Sequence, residues 1–221
     1  MIKQLIDEAL VAHNFIKERE LDTTNFYIRE SGTAIRFAVL HTLDDLSAPA
    51  ELNARINQLA PESFTRNPSF KKNCDLICIH RLQVLAEFKD HEEKIFAIEE
   101  DPHFYKKYVL YYSTAEESAL TNFSYDKLLA VIADKSKFLA YKDKPLDATQ
   151  YSFAAKTFIK LPFLELPTHE GNLVSLRLQA VEAVAQAGLS DTYASIQQIP
   201  KKNADELVKE MIRNELENIQ D

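Results

Sequence analysis

Glycine is scarce in this chain: its 221 residues include three glycines, Gly32, Gly171 and Gly188, which stand far apart. Dinucleotide-binding loops and Walker A loops both depend on closely spaced glycines that let the backbone approach phosphate groups. Neither loop can be assembled from these positions, so the sequence excludes the usual kinds of nucleotide hydrolase. Any ATP to which the protein responds is expected to be held by a partner.

Cysteines and paired histidines are also scarce, which argues against a disulfide or a metal site. The two cysteines, Cys74 and Cys78, lie in one apolar run that is typical of a strand. On a strand rising about 3.3 Å per residue their thiols share one face, about 13 Å apart, which is too far for a disulfide. The six histidines include no His-x-x-x-His pair. We expect buried thiols, no metal and no cofactor.

Long hydrophobic runs and an excess of basic residues are absent as well. No apolar stretch reaches the roughly 18 residues of a membrane span, and the acidic start of the chain lacks the features of a signal peptide. We therefore expect a cytoplasmic protein that does not contact membranes. The net charge of −8 argues against tight, non-specific binding of nucleic acid by the whole protein, although a local basic patch is compatible with it.

The hydrophobic pattern that is present changes along the chain. The first part begins with a predicted helix over residues 2–19 and a hairpin of Phe26–Arg29 and Ala34–Leu40 that turns at Gly32. A predicted helix over Glu51–Leu59 follows. Two predicted strands, Asp75–Leu82 and Lys94–Ile98, are separated by a charged turn, Glu87–Glu93. The second part predicts five helices. The first runs from Asp101-Pro102 to about Tyr112, and the second begins at Thr114, where Glu117 completes a capping box. The others cover Tyr125–Tyr141, Leu173–Ala187, which ends at Gly188, and Ala204–Ile219. Residues Tyr151–Ile159 fit either a helix or a strand.

These elements predict an α+β fold, with a small mixed β-sheet and flanking helices in the N-terminal half and a mainly helical C-terminal half. We expect an α/β unit over residues 1–112 and a mainly helical part over residues 113–221, packed together as one compact unit. The polar run Lys142–Pro145 is the best candidate for a linker.

A cluster of acids invites a comparison with metal-dependent nucleases. Such enzymes of the restriction-endonuclease type need an acid on one strand and acid-x-Lys on the next, because two carboxylates hold Mg²⁺ while the Lys positions water. Asp75, Glu99 and Glu100 supply the acids, but the position two after Glu99 is Asp101 rather than a Lys. The alternatives are an active nuclease, an inactive relative of one, and a capped helix with a solvated acidic loop.

Aromatic and basic residues alternate in the segment that follows. Aromatic rings stack on bases and lysines pair with phosphates, so the segment is a candidate for DNA contact. The candidate DNA-contact residues are Lys71, Lys72, Lys106 and Lys107. The plainer interpretation is that Phe104, Tyr108 and Tyr111 form the core stripe of a helix while the lysines are solvated.

The final predicted helix carries a wide apolar stripe. Its candidate partner-binding residues are Leu207, Val208, Met211, Ile212 and Leu216. Such a stripe either folds back on its own domain or docks on a partner helix.

Three segments together resemble the middle component of bacterial ABC-three-component systems, of which Lamassu is the anti-phage and anti-plasmid member. They are Asn73–Ile77, Ile98–Leu110 and Phe158–Leu164. The most specific of them is the central Ile-Glu-Glu-Asp-Pro followed by Phe-Tyr-Lys-Lys-Tyr.

The resemblance implies a non-catalytic subunit, not an enzyme, encoded beside a structural-maintenance-of-chromosomes or Rad50-like ATPase and a separate effector, commonly a nuclease. It supplies no catalytic residues. The resulting hypothesis is an accessory subunit that couples the sensing of foreign DNA by the ATPase to activation of the effector, and that meets DNA mainly through the complex. The alternative is a small metal-dependent, restriction-endonuclease-like nuclease or an inactive remnant of one.

Overall fold

A five-stranded mixed sheet carries the helices of the N-terminal part of the chain. The structure is a computed structural model that describes residues 1–32, 34–167, 176–190, 192–193, 208–209 and 212–213. Its strands are β1 (Ile16–Glu20), β2 (Thr24–Ser31), β3 (Ala34–Leu43), β4 (Cys74–Leu82) and β5 (Lys106–Ser113). Its helices are α1 (Ile2–Ala12), α2 (Pro49–Leu59), α3 (Glu62–Thr65), α4 (Phe88–Glu99), α5 (Thr114–Ala119), α6 (Tyr125–Ala133), α7 (Lys135–Asp143), α8 (Gln150–Lys160) and α9 (Leu176–Gln186), and a 3-10 turn at Leu85–Glu87 precedes α4.

The backbone groups into two compact units, Met1–Pro167 and Thr168–Asp221. The border predicted at residue 112 falls inside the first of them. No helix in the described ranges combines the length and the apolar character that crossing a bilayer requires.

The strands follow one another across the sheet in chain order, β1-β2-β3-β4-β5. The first three form an antiparallel meander, whereas β3, β4 and β5 run parallel. Parallel neighbours need crossover connections. The chain supplies them with α2 and α3 between β3 and β4, and with α4 between β4 and β5.

Helices cover both faces of the sheet. On one face α2, α3 and α4 pack against residues such as Phe37 and Leu76, while on the other α1, α6 and α8 pack against residues such as Leu40 and Ile77. Strand β4 is buried on both faces, which explains why it reads as a continuous apolar run rather than an alternating one. Both cysteines of that strand, Cys74 and Cys78, are buried free thiols, as predicted.

Aromatic rings fill the core on the face covered by α2, α3 and α4. The ring of Phe64 on α3 lies 4.8 Å from that of Phe37, 5.2 Å from that of Phe70 and 6.0 Å from that of Phe26, measured between centroids. Edge-on packing of this kind suits the quadrupoles of the rings. Phe64 thereby attaches the short helix α3 to the sheet.

The predicted α+β class is confirmed, with a mixed sheet and flanking helices in the first half and helices after β5. The hairpin is also confirmed as β2 and β3, and Gly32 at its turn has a φ of +59°, which glycine adopts without steric cost. Helix α2 and strand β4 match their predicted positions within two residues.

The predicted helix over residues 2–19 is wrong in its second half. Helix α1 ends at Ala12, and Asn14 takes a left-handed φ of 63°. Backbone N–H groups of Asn14 and Phe15 donate to the carbonyls of Val11 and Leu10, a pairing that closes a helix. The chain then turns and continues as β1.

Two neighbouring elements have the opposite type of secondary structure from the one predicted: a predicted strand is a helix, and a predicted helix is a strand. The predicted strand Lys94–Ile98 and all of the charged turn Glu87–Glu93 except Glu87, which ends the 3-10 turn, belong to helix α4. Buried Ile95 and Ile98 are three residues apart on one face of that helix. The predicted helix from Asp101-Pro102 to Tyr112 is instead a loop followed by β5. The helical core stripe through Phe104 is therefore wrong, since alternate residues of β5 face opposite sides of the sheet.

The helices after β5 differ from the predictions at their ends. The capping box of α5 uses Ser113 and Glu116, one residue before the predicted pair. The helix predicted over Tyr125–Tyr141 is two helices, because the carboxylate of Asp134 accepts from backbone N–H groups and caps α7.

The last three predicted elements fall in the second half of the chain. The segment left open between helix and strand is helix α8. Helix α9 lies inside the predicted Leu173–Ala187, and Gly188 follows it with a φ of 73°. Of the helix predicted over Ala204–Ile219, the structure describes residues 208–209 and 212–213, which are helical, and the rest lies outside the described residues.

We expect Phe64→Ala to lower the free energy of unfolding by about 3–5 kcal/mol, because it leaves a cavity among other aromatic rings. Urea denaturation followed by circular dichroism measures the loss. The matched control is Phe96→Ala, whose ring is 43% exposed and whose loss we expect to be about 1 kcal/mol. Equal losses in the two variants would contradict this description of the core.

His41 on β3 is buried and neutral. Its Nδ1 lies 2.7 Å from Thr24 Oγ1, and its Nε2 has no partner among the described residues. Burial, together with the positive charge of Arg55, lowers the pKa of His41 from 6.5 to about 4. Between these two values the unfolded chain binds a proton at His41 that the folded chain does not bind.

The stability of the protein should therefore fall as the pH falls from about 6.5 to about 5, with about 1.5 kcal/mol of the loss due to His41. In His41→Gln we expect that part of the pH dependence to disappear from urea unfolding curves. A variant whose unfolding free energy keeps the wild-type dependence on pH would show that His41 has the same pKa in the folded and unfolded chains, contrary to this account.

Candidate functional site

The amino ends of the three parallel strands lie side by side at one end of the sheet. The register pairs Ala38 of β3 with Asp75 of β4, and Asp75 with Lys106 of β5. Two adjoining clefts open there, with volumes of about 290 and 530 Å³, and Lys72 and Lys106 line both of them. The charged and aromatic side chains around the clefts form the strand-end site, which consists of Arg36, Lys71, Lys72, Asp75, Phe104 and Lys106.

The loop between α4 and β5 folds around the ammonium group of Lys107. The side chain of Lys107 has 0% exposure, and its Nζ lies 2.9 Å from Asp101 Oδ2 in an ion pair. The ammonium also donates to the carbonyl oxygens of Asp101, His103 and Tyr105, at 3.3, 2.6 and 3.1 Å. Asn53 of α2 donates to Asp101 at 2.8 Å and ties the loop to that helix. We call these five residues the Lys107 clamp.

Phe104 is held in a backbone conformation that bulky residues avoid. Its φ is 64°, in the left-handed region. The carbonyls on either side of it, those of His103 and Tyr105, both accept from the Lys107 ammonium, so the clamp explains why the strained conformation persists. The ring of Phe104 remains 50% exposed, and Lys71 Nζ lies 4.6 Å from its centroid.

Asp75 is buried at the floor of the smaller cleft but is not unpaired. Its carboxylate oxygen Oδ2 accepts from Arg36 Nε at 2.9 Å and lies 2.8 Å from an Arg36 terminal nitrogen. Burial raises the pKa of Asp75, and the charge of Arg36 opposes that rise. A buried acid in a strand needs such a partner because an isolated buried charge is costly.

Glu99 also lines the larger cleft, but its carboxylate is bound at the free edge of β5. Its carboxylate accepts from the backbone N–H of Val109 at 2.8 Å and from Lys160 Nζ at 2.6 and 2.7 Å. Val109 is three residues along β5 from Lys106, the partner of Asp75 in the register. Asp75 and Glu99, two acids of the nuclease alternative, therefore have separate cationic partners. Within the described ranges, no three His, Cys, Asp or Glu side chains are arranged to hold a metal ion.

The structure brings three of the candidate DNA-contact lysines together and separates the fourth. Lys71, Lys72 and Lys106 are exposed around the strand-end site. Lys107 follows Lys106 on a strand, so it points to the opposite face, where the clamp encloses it. The ammonium of Lys107 thus has no surface with which to meet a phosphate.

Arg36 and Phe104 complete the site. Phe104 belongs to the aromatic and basic segment that the sequence already made a candidate for DNA contact, whereas the sequence did not place Arg36 there. Arg36 could have been sought from Asp75, because a lone acid inside an apolar strand predicts a cation on a neighbouring strand. The role of Phe104 depends on the clamp, for which the sequence carries no local signal.

Two of the candidate partner-binding residues fall within the described part of the chain. Val208 and Ile212 are 52% and 54% exposed. Leu207, Met211 and Leu216 lie outside the described residues.

A comparison with protein families supports the resemblance found in the sequence. Residues 36–136 match the family model of the ABC-three component (ABC-3C) system Middle Component 1. The matched segment contains the strand-end site and the Lys107 clamp. No match was found among curated proteins or among solved structures. The predicted resemblance to a middle component of these systems is thereby confirmed.

We expect Asp101→Ala to lower the free energy of unfolding by about 3–5 kcal/mol, since it leaves the buried ammonium of Lys107 without its counter-charge. The double variant Asp101→Ala/Lys107→Met should recover part of the loss. Urea denaturation at neutral pH measures both. The control is Arg66→Ala, which breaks the exposed ion pair of Arg66 with Glu62 and should cost at most about 1 kcal/mol.

The same ion pair should make the protein sensitive to strong acid. Burial raises the pKa of Asp101. Hydrogen bonds from Lys107 and Asn53 lower this pKa by more than burial raises it, so the pKa lies below its ordinary value of 3.8. The contribution of the pair is therefore complete above that value and is lost as the pH falls through the folded-state pKa. If Asp101→Ala were no less stable than the wild type at neutral pH, the clamp would not be the structural anchor described here.

Proposed function

We propose that this chain, a middle component of an ABC-three component system, is a non-catalytic accessory subunit of a cytoplasmic, Lamassu-type defence complex. In this role it binds a structural-maintenance-of-chromosomes or Rad50-like ATPase and an effector nuclease. It couples the response of the ATPase to foreign DNA to activation of the effector. The family match over residues 36–136 is the observation that carries this proposal.

Two of the acidic residues that a nuclease would need are already paired with cationic side chains, and this supports an accessory role rather than a nuclease. Asp75 already has the guanidinium of Arg36 as its partner, and Glu99 has the ammonium of Lys160. A divalent cation at either carboxylate would have to displace a bound cationic side chain. Glu100 is exposed and lines the larger cleft, but a single carboxylate is a weak ligand set for Mg²⁺.

Helix α7 offers a surface for a partner protein. It contains no buried residue, and its Phe138 and Leu139 are 45% and 50% exposed. An open cleft of about 630 Å³ adjoins it, lined by residues that include Tyr141 and Tyr151. Exposed apolar surface of this kind marks sites of protein association more often than chance. We assign one partner contact to α7 and retain the predicted stripe of Val208 and Ile212 as a second.

Coupling requires that the subunit contact its partners differently in two states, because a contact of equal strength in both shifts no equilibrium. A chain that binds the ATPase with one of its two surfaces, on α7 or on the C-terminal segment, and the effector with the other meets this requirement when one of these contacts is stronger in one state of the ATPase than in the other.

Co-purification from the intact operon tests the proposal. With an affinity tag on this chain, we expect the ATPase and the effector to be retained. The double variant Phe138→Asp/Leu139→Asp should lose one of them, while the control Lys142→Glu, which changes an exposed residue of the same helix, should lose neither. Matching circular dichroism and melting curves establish that the variants fold.

Two results would overturn the proposal. One is a chain that is recovered alone while its neighbours are expressed. The other is cleavage of linear or circular DNA by the purified chain with Mg²⁺ or Mn²⁺ that Asp75→Ala abolishes, which would establish the nuclease alternative instead.

A further inference from the structure

We infer that the strand-end site binds DNA directly, at a single-stranded stretch or a frayed end, with its lysines on phosphates and Phe104 stacked on an unpaired base. The inference goes beyond the accessory role, because it concerns a property of this chain without its partners.

The distribution of charge is the first argument. The chain as a whole carries −8, yet Lys71, Lys72 and Lys106 are exposed together at one end of the sheet. None of the three forms an ion pair within the described residues. The neighbouring acids Asp75, Glu99 and Asp101 are each paired with another cation, namely Arg36, Lys160 and Lys107.

Glu100 is the exposed acid that also lines the larger cleft. It offsets one of the three lysine charges and leaves the site with a net positive charge. Such a local excess attracts phosphates even on an acidic protein, because at physiological salt only charges within about 8 Å of one another interact strongly.

The exposed ring of Phe104 is the second argument. Base stacking on an aromatic side chain is independent of sequence, since every base has a π face. Lys71 Nζ lies over one face of the ring, 4.6 Å from its centroid. A base therefore stacks on the other face or displaces this ammonium, and in both cases a lysine is within reach of the phosphate of that base. A blunt duplex offers fewer accessible base faces than a single strand, which is why the site should prefer unpaired DNA.

The rigidity of the loop is the third argument. The Lys107 clamp holds the carbonyls on both sides of Phe104 and so fixes the ring before any ligand arrives. A preformed site loses less conformational entropy on binding than a mobile one. This use of the clamp also gives a reason for keeping Phe104 in a costly backbone conformation.

The combination of an aromatic ring with lysines selects the ligand. An acidic peptide would use the lysines but not the exposed ring, and a free phosphate would use neither the ring nor the spread of the lysines over the turn before β4 and the start of β5. A nucleic acid strand uses all of them.

Fluorescence anisotropy with the purified full-length chain tests the inference, with a short labelled single strand and a blunt duplex of the same sequence as probes. We expect the single strand to bind more tightly. The logarithm of its association constant should fall with the logarithm of salt concentration with a slope of about −2, as three phosphate contacts require.

Variants separate stacking from charge. Phe104→Ala should weaken binding of the single strand about tenfold or more with the salt slope unchanged. Lys72→Gln/Lys106→Gln should reduce the size of the slope by about 1.4. The control Lys94→Gln/Phe96→Ala removes an exposed lysine and a similarly exposed aromatic side chain on α4 and should change neither quantity.

Absence of binding at low salt, or binding that the strand-end variants leave intact, would overturn the inference. Tighter binding of an acidic peptide than of DNA would do the same and point to a protein ligand. A chain that fails here but still co-purifies with its ATPase and effector would leave the accessory role standing.

Discussion

The ammonium group of Lys107, buried at the start of β5, dictates the shape of the region around it. A charge without exposed surface is tolerated only when it is fully surrounded by acceptors. Here Asp101 and three backbone carbonyls provide them, so the loop before β5 has to curl around one atom. The exposed position of Phe104 and the tie from the loop to α2 through Asn53 both follow from that requirement.

The edge of β5 is the second place where charge organises the fold. Glu99 from α4 and Lys160 from α8 meet there, although these helices cover opposite faces of the sheet. One helical turn earlier, Lys156 of α8 pairs with buried Glu116. Because an edge strand presents unpaired backbone groups, these contacts close the sheet where a further strand would otherwise add.

The elements whose signal is local were predicted correctly from the sequence, and those that depend on distant partners were assigned the wrong type. The β2–β3 hairpin has its glycine turn, and β4 has its apolar run. The segments of α4 and β5 carry apolar residues that fit both a helical and a strand period, and only the pairing of β5 with β4 decides between them. At the site, the lysines and the aromatic segment that contains Phe104 were found from the sequence, whereas Arg36 was not, because its role depends on a neighbouring strand. The exposed position of the Phe104 ring could not be predicted either, because it depends on the clamp.

The pairing of Glu99 with Lys160 also sets an order for events on the ribosome. The two residues are 61 positions apart, so β5 emerges well before the helix that shields its outer edge. Until α8 has been synthesised, the nascent sheet presents an open strand, which is the kind of surface on which chains associate wrongly. During translation of the segment between α5 and α8, the outer edge of β5 is therefore without the helix that shields it in the folded protein.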